Sequence, residues 1–140
     1  MPTRREARER ALSLCYEAEV RGLDADELLG ELPAPPDEYA AAVVRGVACH
    51  RDEVDAILRK VSEHWALERM PAVDRALLRI GSYELGWQLQ LSTAIVIDEA
   101  VELAQQYSTK DSGRFVNGML GRIAEDLRGQ EPEPPEQPAP

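Results

Sequence analysis

Apolar residues recur every three or four positions along most of the chain, which is the spacing of one face of an α-helix. The first stripe consists of Ala7, Ala11, Leu14, Cys15 and Ala18. Thr3 and Glu6 precede it as a T-x-x-E capping box, and Gly22 follows it as a stop signal. The pattern therefore predicts a first helix that begins near Arg4 and ends at Gly22.

Two further helical patterns follow in the N-terminal part of the chain. Asp24 gives a capping signal before a short leucine-rich helix, and the stiff sequence PAPP at residues 33–36 ends that helix. Asp37 begins a long pattern with a 3.6-residue period that continues to residue 61. A bend in this long helix is predicted near Gly46.

Three more helices are predicted in the C-terminal part. Pro71 suits the first turn of a helix, where no backbone donor is lost, and Gly86 ends that helix. A cap at residues 92–93 begins the next helix. A cap at residues 110–112 begins the last one, which Gly129 closes.

These elements add up to about six or seven helices and no strand, so the predicted fold is an all-α compact bundle. The pattern pauses around Ser62, which predicts two helical halves: residues 1–62, with the arginine-rich first helix, and residues 63–129. Residues 130–140 hold five prolines and three glutamates. Such a composition cannot form a helix or bury a core, so this tail is predicted to be disordered.

The charge distribution raises a question about the first helix. The 140-residue chain has a formal net charge of −10, yet four arginines lie within its first ten residues. An acidic chain is not expected to bind nucleic acid indiscriminately, but a local basic patch is compatible with it. Arginines at a helix N-terminus oppose the helix dipole, at a cost of a few tenths of a kcal/mol each. A sequence shaped for stability alone would place acidic residues there.

Two interpretations of this helix follow from the residues. Arg5, Arg8 and Tyr16 are predicted to point away from the apolar stripe, with Arg4 near its edge. In the functional interpretation, the helix N-terminus and the arginines bind phosphates, and an exposed Tyr16 stacks on a base. In the alternative, the arginines form a solvated face with local pairs such as Arg5 with Glu9, and Tyr16 packs against a neighbouring helix. The residues alone leave both open.

Candidate chemistry elsewhere is sparse. Cys15 and Cys49 lie inside helical patterns without metal spacing, which predicts two reduced, half-buried thiols in a cytoplasmic protein. His50 and His64 have no ligand cluster around them. No phosphate-binding glycine loop or catalytic constellation is recognisable, and no apolar run approaches the roughly 20 residues of a membrane span. We therefore predict no catalytic site, no metal, no cofactor and no membrane partner.

Three segments are informative through their order and spacing. They are RREARERALSLCY at residues 4–16, ERMPAVDRALLRIGSYEL at residues 68–85 and VIDEAVELAQQYSTKDSGRFVNGMLGRIA at residues 96–124. Together they resemble the NusB family of transcription antitermination factors, over most of residues 4–124.

The resemblance implies an all-helical, NusB-like fold in two halves and a function in the control of ribosomal RNA transcription. It implies binding to the single-stranded boxA segment of ribosomal RNA leaders. It also implies pairing with NusE, which is a small-subunit ribosomal protein, and a place in the antitermination complex of RNA polymerase. No catalysis is implied, and the expected location is the cytoplasm.

The resemblance also assigns residues to the RNA surface. The family's arginine-rich first helix corresponds to Arg4, Arg5 and Arg8. Arg114, in the DSGRF sequence at the start of the last helix, adds a candidate phosphate contact. Tyr16 stays the candidate for base stacking.

For the protein partner, the family pattern points to Glu68 and Asp74, with Arg75 adjacent and Asp111 near the same surface. These carboxylates suit a basic ribosomal protein. In the alternative, the acids around Pro71 are ordinary first-turn residues, and Asp111 and Ser112 cap the last helix.

Two other classes of function remain open on the sequence. In one, the protein is a protein-only helical scaffold or a homodimer, and its arginines are solvated or buried in a self-interface. In the other, it is an enzyme or a metal protein, for which the residues offer almost no support. An RNA-shift titration with and without the partner distinguishes the antitermination factor from the scaffold.

Overall fold

The computed structural model describes residues 2–63 and 65–129. Within them the chain forms seven α-helices, one 3₁₀ turn and no strand, which confirms the predicted all-α fold. The helices are α1 (Arg4–Arg21), α2 (Ala25–Glu31), α3 (Glu38–Cys49), α4 (Arg51–Val61), α5 (Ala72–Trp87), α6 (Thr93–Tyr107) and α7 (Ser112–Arg128), and the 3₁₀ turn spans Leu67–Arg69. The predicted disordered tail, residues 130–140, lies outside the described residues, as does His64.

The ends of α1 follow from local chemistry. The Thr3 hydroxyl accepts a hydrogen bond from the Glu6 amide at 3.0 Å, and the Glu6 carboxylate accepts one from the Thr3 amide at 2.8 Å. This reciprocal pair is the predicted capping box. Gly22 ends the helix with φ of 67°, a left-handed conformation that glycine adopts without a steric penalty.

The predicted long helix over residues 37–61 is two helices, and the bend expected near Gly46 is wrong. The break between α3 and α4 lies at His50, whose φ and ψ are −105° and 19°. The His50 ring stacks on the Trp87 ring of α5 with a centroid distance of 4.2 Å. Gly46 has a different role, because a Cβ built there would lie 2.2 Å from Cζ of the Tyr83 ring. The glycine lets α3 approach α5 closely.

Helix α5 occupies the centre of the bundle. Every residue from Ala76 to Leu85 is buried, and α5 packs against α1, α3, α4, α6 and α7. One continuous apolar core surrounds it, with residues from both predicted halves. The division into residues 1–62 and 63–129 stays a prediction. Among the described helices, none is long and apolar enough to cross a membrane.

Because α5 is buried on all sides, its polar residues need partners on other helices. Arg79 contacts Asp55 of α4, and Glu84 contacts Arg8 of α1. At its C-terminal end, the Arg128 guanidinium of α7 donates to the carbonyl oxygens of Leu85 at 2.9 Å and Leu91 at 2.8 Å. These contacts fix the rotation of α5 inside the bundle.

We expect Gly46→Ala to lower the free energy of unfolding by about 1–3 kcal/mol, because the added methyl group overlaps the Tyr83 ring. The matched control is Gly118→Ala in α7, where no atom lies within 4 Å of the added carbon. That variant should raise the free energy by about 0.5–1 kcal/mol through helix propensity. Urea denaturation followed by circular dichroism measures both. Equal effects of the two variants would contradict the close approach of α3 and α5.

Candidate nucleic-acid interface

The N-terminal end of α1 presents arginines to solvent, as the sequence predicts for Arg5, and Arg4, predicted near the edge of the apolar stripe, is exposed as well. The Arg4 guanidinium lies over the Tyr39 ring of α3, with Cζ 3.8 Å from the ring centroid, and Arg4 has no carboxylate partner within residues 2–63 and 65–129. Arg5 is about two-fifths exposed and pairs with Glu99 and Glu102 of α6. This end of the helix therefore combines one arginine without an ion pair and one whose ion pairs are open to water.

Arg8 is placed differently from the prediction that it points away from the apolar stripe. It is 2% exposed, and its Nε donates to both carboxylate oxygens of Glu84, at 3.0 and 3.1 Å. The reason is helical phase: Arg8 precedes Ala11 by three residues and Leu12 by four, so all three lie on the face that α5 covers. The RNA contact predicted for Arg8 stays a prediction, but its side chain lies inside the fold.

Sequence reasoning passed over Arg10, the fourth arginine of this segment. It is exposed, and its side chain has no hydrogen-bond or ion-pair partner in the described part of the chain. Three of the four arginines in the first ten residues therefore lie at the surface: Arg4, Arg5 and Arg10. The signal that could have identified Arg10 is the same helical phase, since it falls outside the buried face that includes Arg8.

Glu84 and Tyr39 were also not recognised from the sequence. The Tyr39 hydroxyl donates to the Glu84 carboxylate, which is 1% exposed. Burial, this hydrogen bond and the negative charge of Glu84 together raise the pKa of Tyr39 well above its ordinary value of 10.0. The hydroxyl stays protonated at all physiological pH values and holds the ring in place beneath Arg4.

The two remaining RNA candidates are both at the surface. Tyr16 is 42% exposed, which agrees with the exposed alternative, and Val20 one turn later is 64% exposed. Arg114 is exposed at the start of α7, where it lines a polar groove of 420 Å³ together with Lys110 and Asn117. Helix α6 contributes to both regions, because Glu99 and Glu102 pair with Arg5 of α1 while Asp98 and Gln105 line the groove.

Two of the four partner candidates are accessible. Glu68 is exposed and pairs with Arg59 at 3.1 Å. Asp111 is exposed, and its side chain makes no capping hydrogen bond, so the expectation that it caps the last helix is wrong. Ser112 is the first residue of α7, and its hydroxyl accepts from the Thr109 amide before the helix at 3.2 Å, so it does not cap the helix either.

The other two partner candidates are engaged inside the chain. Asp74 is 2% exposed, and its carboxylate accepts hydrogen bonds from Ser112, at 2.9 Å, and from Ser108. Arg75 pairs with Glu19 of α1 and donates to the carbonyl oxygen of Met70 at 2.9 Å. Their roles in partner binding stay predictions, but in this conformation both side chains stabilise the fold.

A network of arginines and carboxylates joins α1, α4 and α5. Arg79 donates to both Asp55 oxygens at 2.9 and 3.1 Å, and Arg51 donates to Asp55 at 3.1 Å. Burial alone would raise the pKa of Asp55, but the hydrogen bonds and charges of Arg79 and Arg51 outweigh it and lower that pKa below 3.8. The pKa of Glu19 is lowered in the same way, because Arg75 and Arg79 outweigh its burial.

The cysteines differ from one another. Cys15 is half-buried, and burial raises the pKa of its thiol to about 12, so it stays protonated. Cys49 is exposed, which corrects the prediction that both thiols are half-buried. Within the described ranges, no three His, Cys, Asp or Glu side chains are arranged to hold a metal ion.

The chain is similar to known proteins in both sequence and fold. The sequence pattern of the NusB family matches residues 5–125. A transcription antitermination protein NusB from Saccharopolyspora erythraea is 50% identical over 130 residues, which cover 89% of this chain and 88% of that protein.

Two solved structures share the fold. T. maritima NusB superposes with a TM-score of 0.80 at 34% identity and covers 89% of this chain and 92% of its own. A chain from the crystal structure of antitermination factors NusB and NusE in complex with dsRNA gives a TM-score of 0.77 at 29% identity, covering 88% of this chain and 96% of its own.

We expect Arg8→Met to lower the free energy of unfolding by about 3–5 kcal/mol, because the Glu84 carboxylate would stay buried without its cationic partner. Adding Glu84→Gln should restore much of this loss, since the uncompensated charge is then removed. Arg10→Met on the same helix is the control and should change stability by less than about 0.5 kcal/mol. Urea denaturation measures all three. A loss for Arg8→Met as small as that for Arg10→Met would contradict the buried pair.

The lowered carboxyl pKa values predict how stability depends on pH. Groups with a lowered pKa in the folded chain stabilise it fully above their ordinary pKa values and lose this effect as the pH falls through the lowered values. Asp55→Asn should therefore be clearly less stable than the unmodified chain at pH 7, and the difference should shrink below about pH 4. Asp52→Asn, an exposed acid on the same helix, is the control. A stability difference that stays constant from pH 7 to pH 3 would contradict the assignment.

Proposed function

The chain belongs to the NusB family, and from this we propose that it acts as a transcription antitermination factor. It binds boxA-type single-stranded RNA of ribosomal RNA leaders together with NusE, within the antitermination complex of RNA polymerase. The observation that carries the proposal is the set of surface arginines at the N-terminus of α1, on a chain with a net charge of −10.

Phosphate recognition by this end of α1 has a direct physical basis. The backbone amides at a helix N-terminus carry partial positive charge and favour anions. Arg4 has no competing carboxylate, so its guanidinium is available to a phosphate. Arg5 exchanges its exposed pair with Glu102 for a phosphate contact at little cost, because water already screens that pair.

The acidic remainder of the surface suits the protein partner. A basic ribosomal protein is attracted to a negative surface over long range, and Glu68 and Asp111 are the accessible carboxylates among the predicted contacts. The same negative charge repels nucleic acid away from the arginines. RNA affinity of the chain alone is therefore low, and the partner raises it.

The proposed activity consists of binding, without a catalytic step. It takes place on the nascent transcript, and therefore in the cytoplasm.

We expect the double variant Arg4→Gln/Arg5→Gln to weaken binding of a boxA-type single strand in an RNA-shift titration, with and without NusE. Each lost phosphate contact should also reduce the slope of log affinity against log salt by roughly 0.7, the value for single strands. The control is Arg21→Gln/Arg45→Gln, which removes the same charge from exposed, ion-paired arginines elsewhere.

Two outcomes would contradict the proposal in different ways. If both double variants bind RNA equally well, the arginine assignment is wrong. If the unmodified chain ignores RNA both with and without NusE, the protein is better described as a protein-only scaffold.

A further inference from the structure

A groove of 810 Å³ separates the N-terminal ends of α1 and α3. Thr3, Arg4 and Ala7 line it on one side, and residues 36–39 and Ala42 line it on the other. Its volume falls within the roughly 300–1,000 Å³ typical of small-molecule sites. The groove is open to solvent and lies directly beside the arginines of the proposed RNA surface.

The Tyr39–Arg4 pair supplies a flat stacking surface in this groove. The Arg4 guanidinium lies 3.8 Å from the Tyr39 ring centroid, so the two planar groups are in contact. Hydrogen bonding to the buried Glu84 anchors the tyrosine from below. Nucleobases stack on both aromatic rings and guanidinium planes.

The charges around the groove indicate which part of an RNA enters it. Asp37 and Glu38 line the α3 side, where their carboxylates repel phosphate groups. Arg4 lies on the α1 side, close to Arg5, where phosphates are attracted. A strand that crosses this end of the bundle therefore keeps its backbone over α1, and an uncharged base is the part that suits the groove.

We propose that this groove receives one nucleobase of the bound single-stranded RNA, stacked on the Tyr39–Arg4 pair. The inference rests on the proposed RNA-binding function and adds a base-binding site to its phosphate contacts. Tyr39, rather than Tyr16 alone, then contributes stacking to RNA binding.

The test fills the groove without removing a charge. Ala42 is exposed and lines the groove, and Ala56 is an exposed alanine on α4 outside it. With NusE present, Ala42→Leu should weaken binding of the boxA-type single strand roughly 5- to 100-fold, the range for loss of one stacked base. The salt slope should not change, because no phosphate contact is lost. Ala56→Leu should bind like the unmodified chain.

A second pair of variants isolates the ring. Tyr39→Phe keeps the aromatic surface and removes only the hydroxyl bonded to Glu84, so it should bind RNA more tightly than Tyr39→Leu even if it is less stable than the unmodified chain. Tyr39→Leu removes the stacking surface and should weaken binding to the same extent as Ala42→Leu. Circular dichroism and urea denaturation confirm that each variant is folded at the assay temperature.

The outcomes separate this inference from the proposed function. If the unmodified chain binds RNA but Ala42→Leu and Ala56→Leu bind equally well, the base site is wrong and the antitermination function stands. If Ala42→Leu instead changes the oligomeric state in light scattering and leaves RNA affinity unchanged, the groove seats a second copy of the chain, which also overturns the base site. If the unmodified chain does not bind RNA at all, the proposed function fails first.

Discussion

The carboxylate of Glu84 is the constraint on which the arrangement of the N-terminal ends of α1 and α3 depends. It lies in the central helix, is 1% exposed, and must be compensated because an isolated buried charge is strongly unfavourable. Arg8 of α1 supplies the opposite charge, and Tyr39 of α3 supplies a hydroxyl donor. One side chain therefore holds two other helices in a defined position against α5. The groove between α1 and α3 and the outward direction of Arg4 follow from that arrangement.

This constraint divides the arginines of the first helix into two kinds. Arg8 neutralises a buried acid, whereas Arg4 and Arg10 face solvent without a carboxylate partner among the described residues. The buried Arg8 adds no charge to the surface. Arg4 and Arg10 add positive charge to the exposed N-terminal end of α1. The arginine-rich first helix thus contains one arginine that acts in folding and others that are exposed to solvent. A variant that removes Arg8 together with its neighbours would confuse the two effects.

How far the sequence predicted the structure depended on the distance between interacting residues. Helices α1, α2 and α3 begin where local capping signals place them, because the capping partners are at most three residues apart. The partners of Arg8 and Asp74 could not be predicted in the same way. Arg8 meets Glu84 across 76 residues, and Asp74 meets Ser112 across 38. Only the packed fold brings those groups together. The stacking of the His50 ring on Trp87 could not be predicted for the same reason.

The acidic surface and the basic N-terminal end of α1 together would limit non-specific binding to RNA. Phosphate attraction at the end of α1 is independent of sequence and falls steeply with salt. On a chain with a net charge of −10, that attraction is opposed by the charge of the molecule as a whole, so non-specific binding along an RNA is disfavoured. Selectivity then has to come from contacts that do not depend on charge. The proposed stacked base beside the arginines would provide such a contact, and a basic partner that neutralises part of the surface would let it take effect.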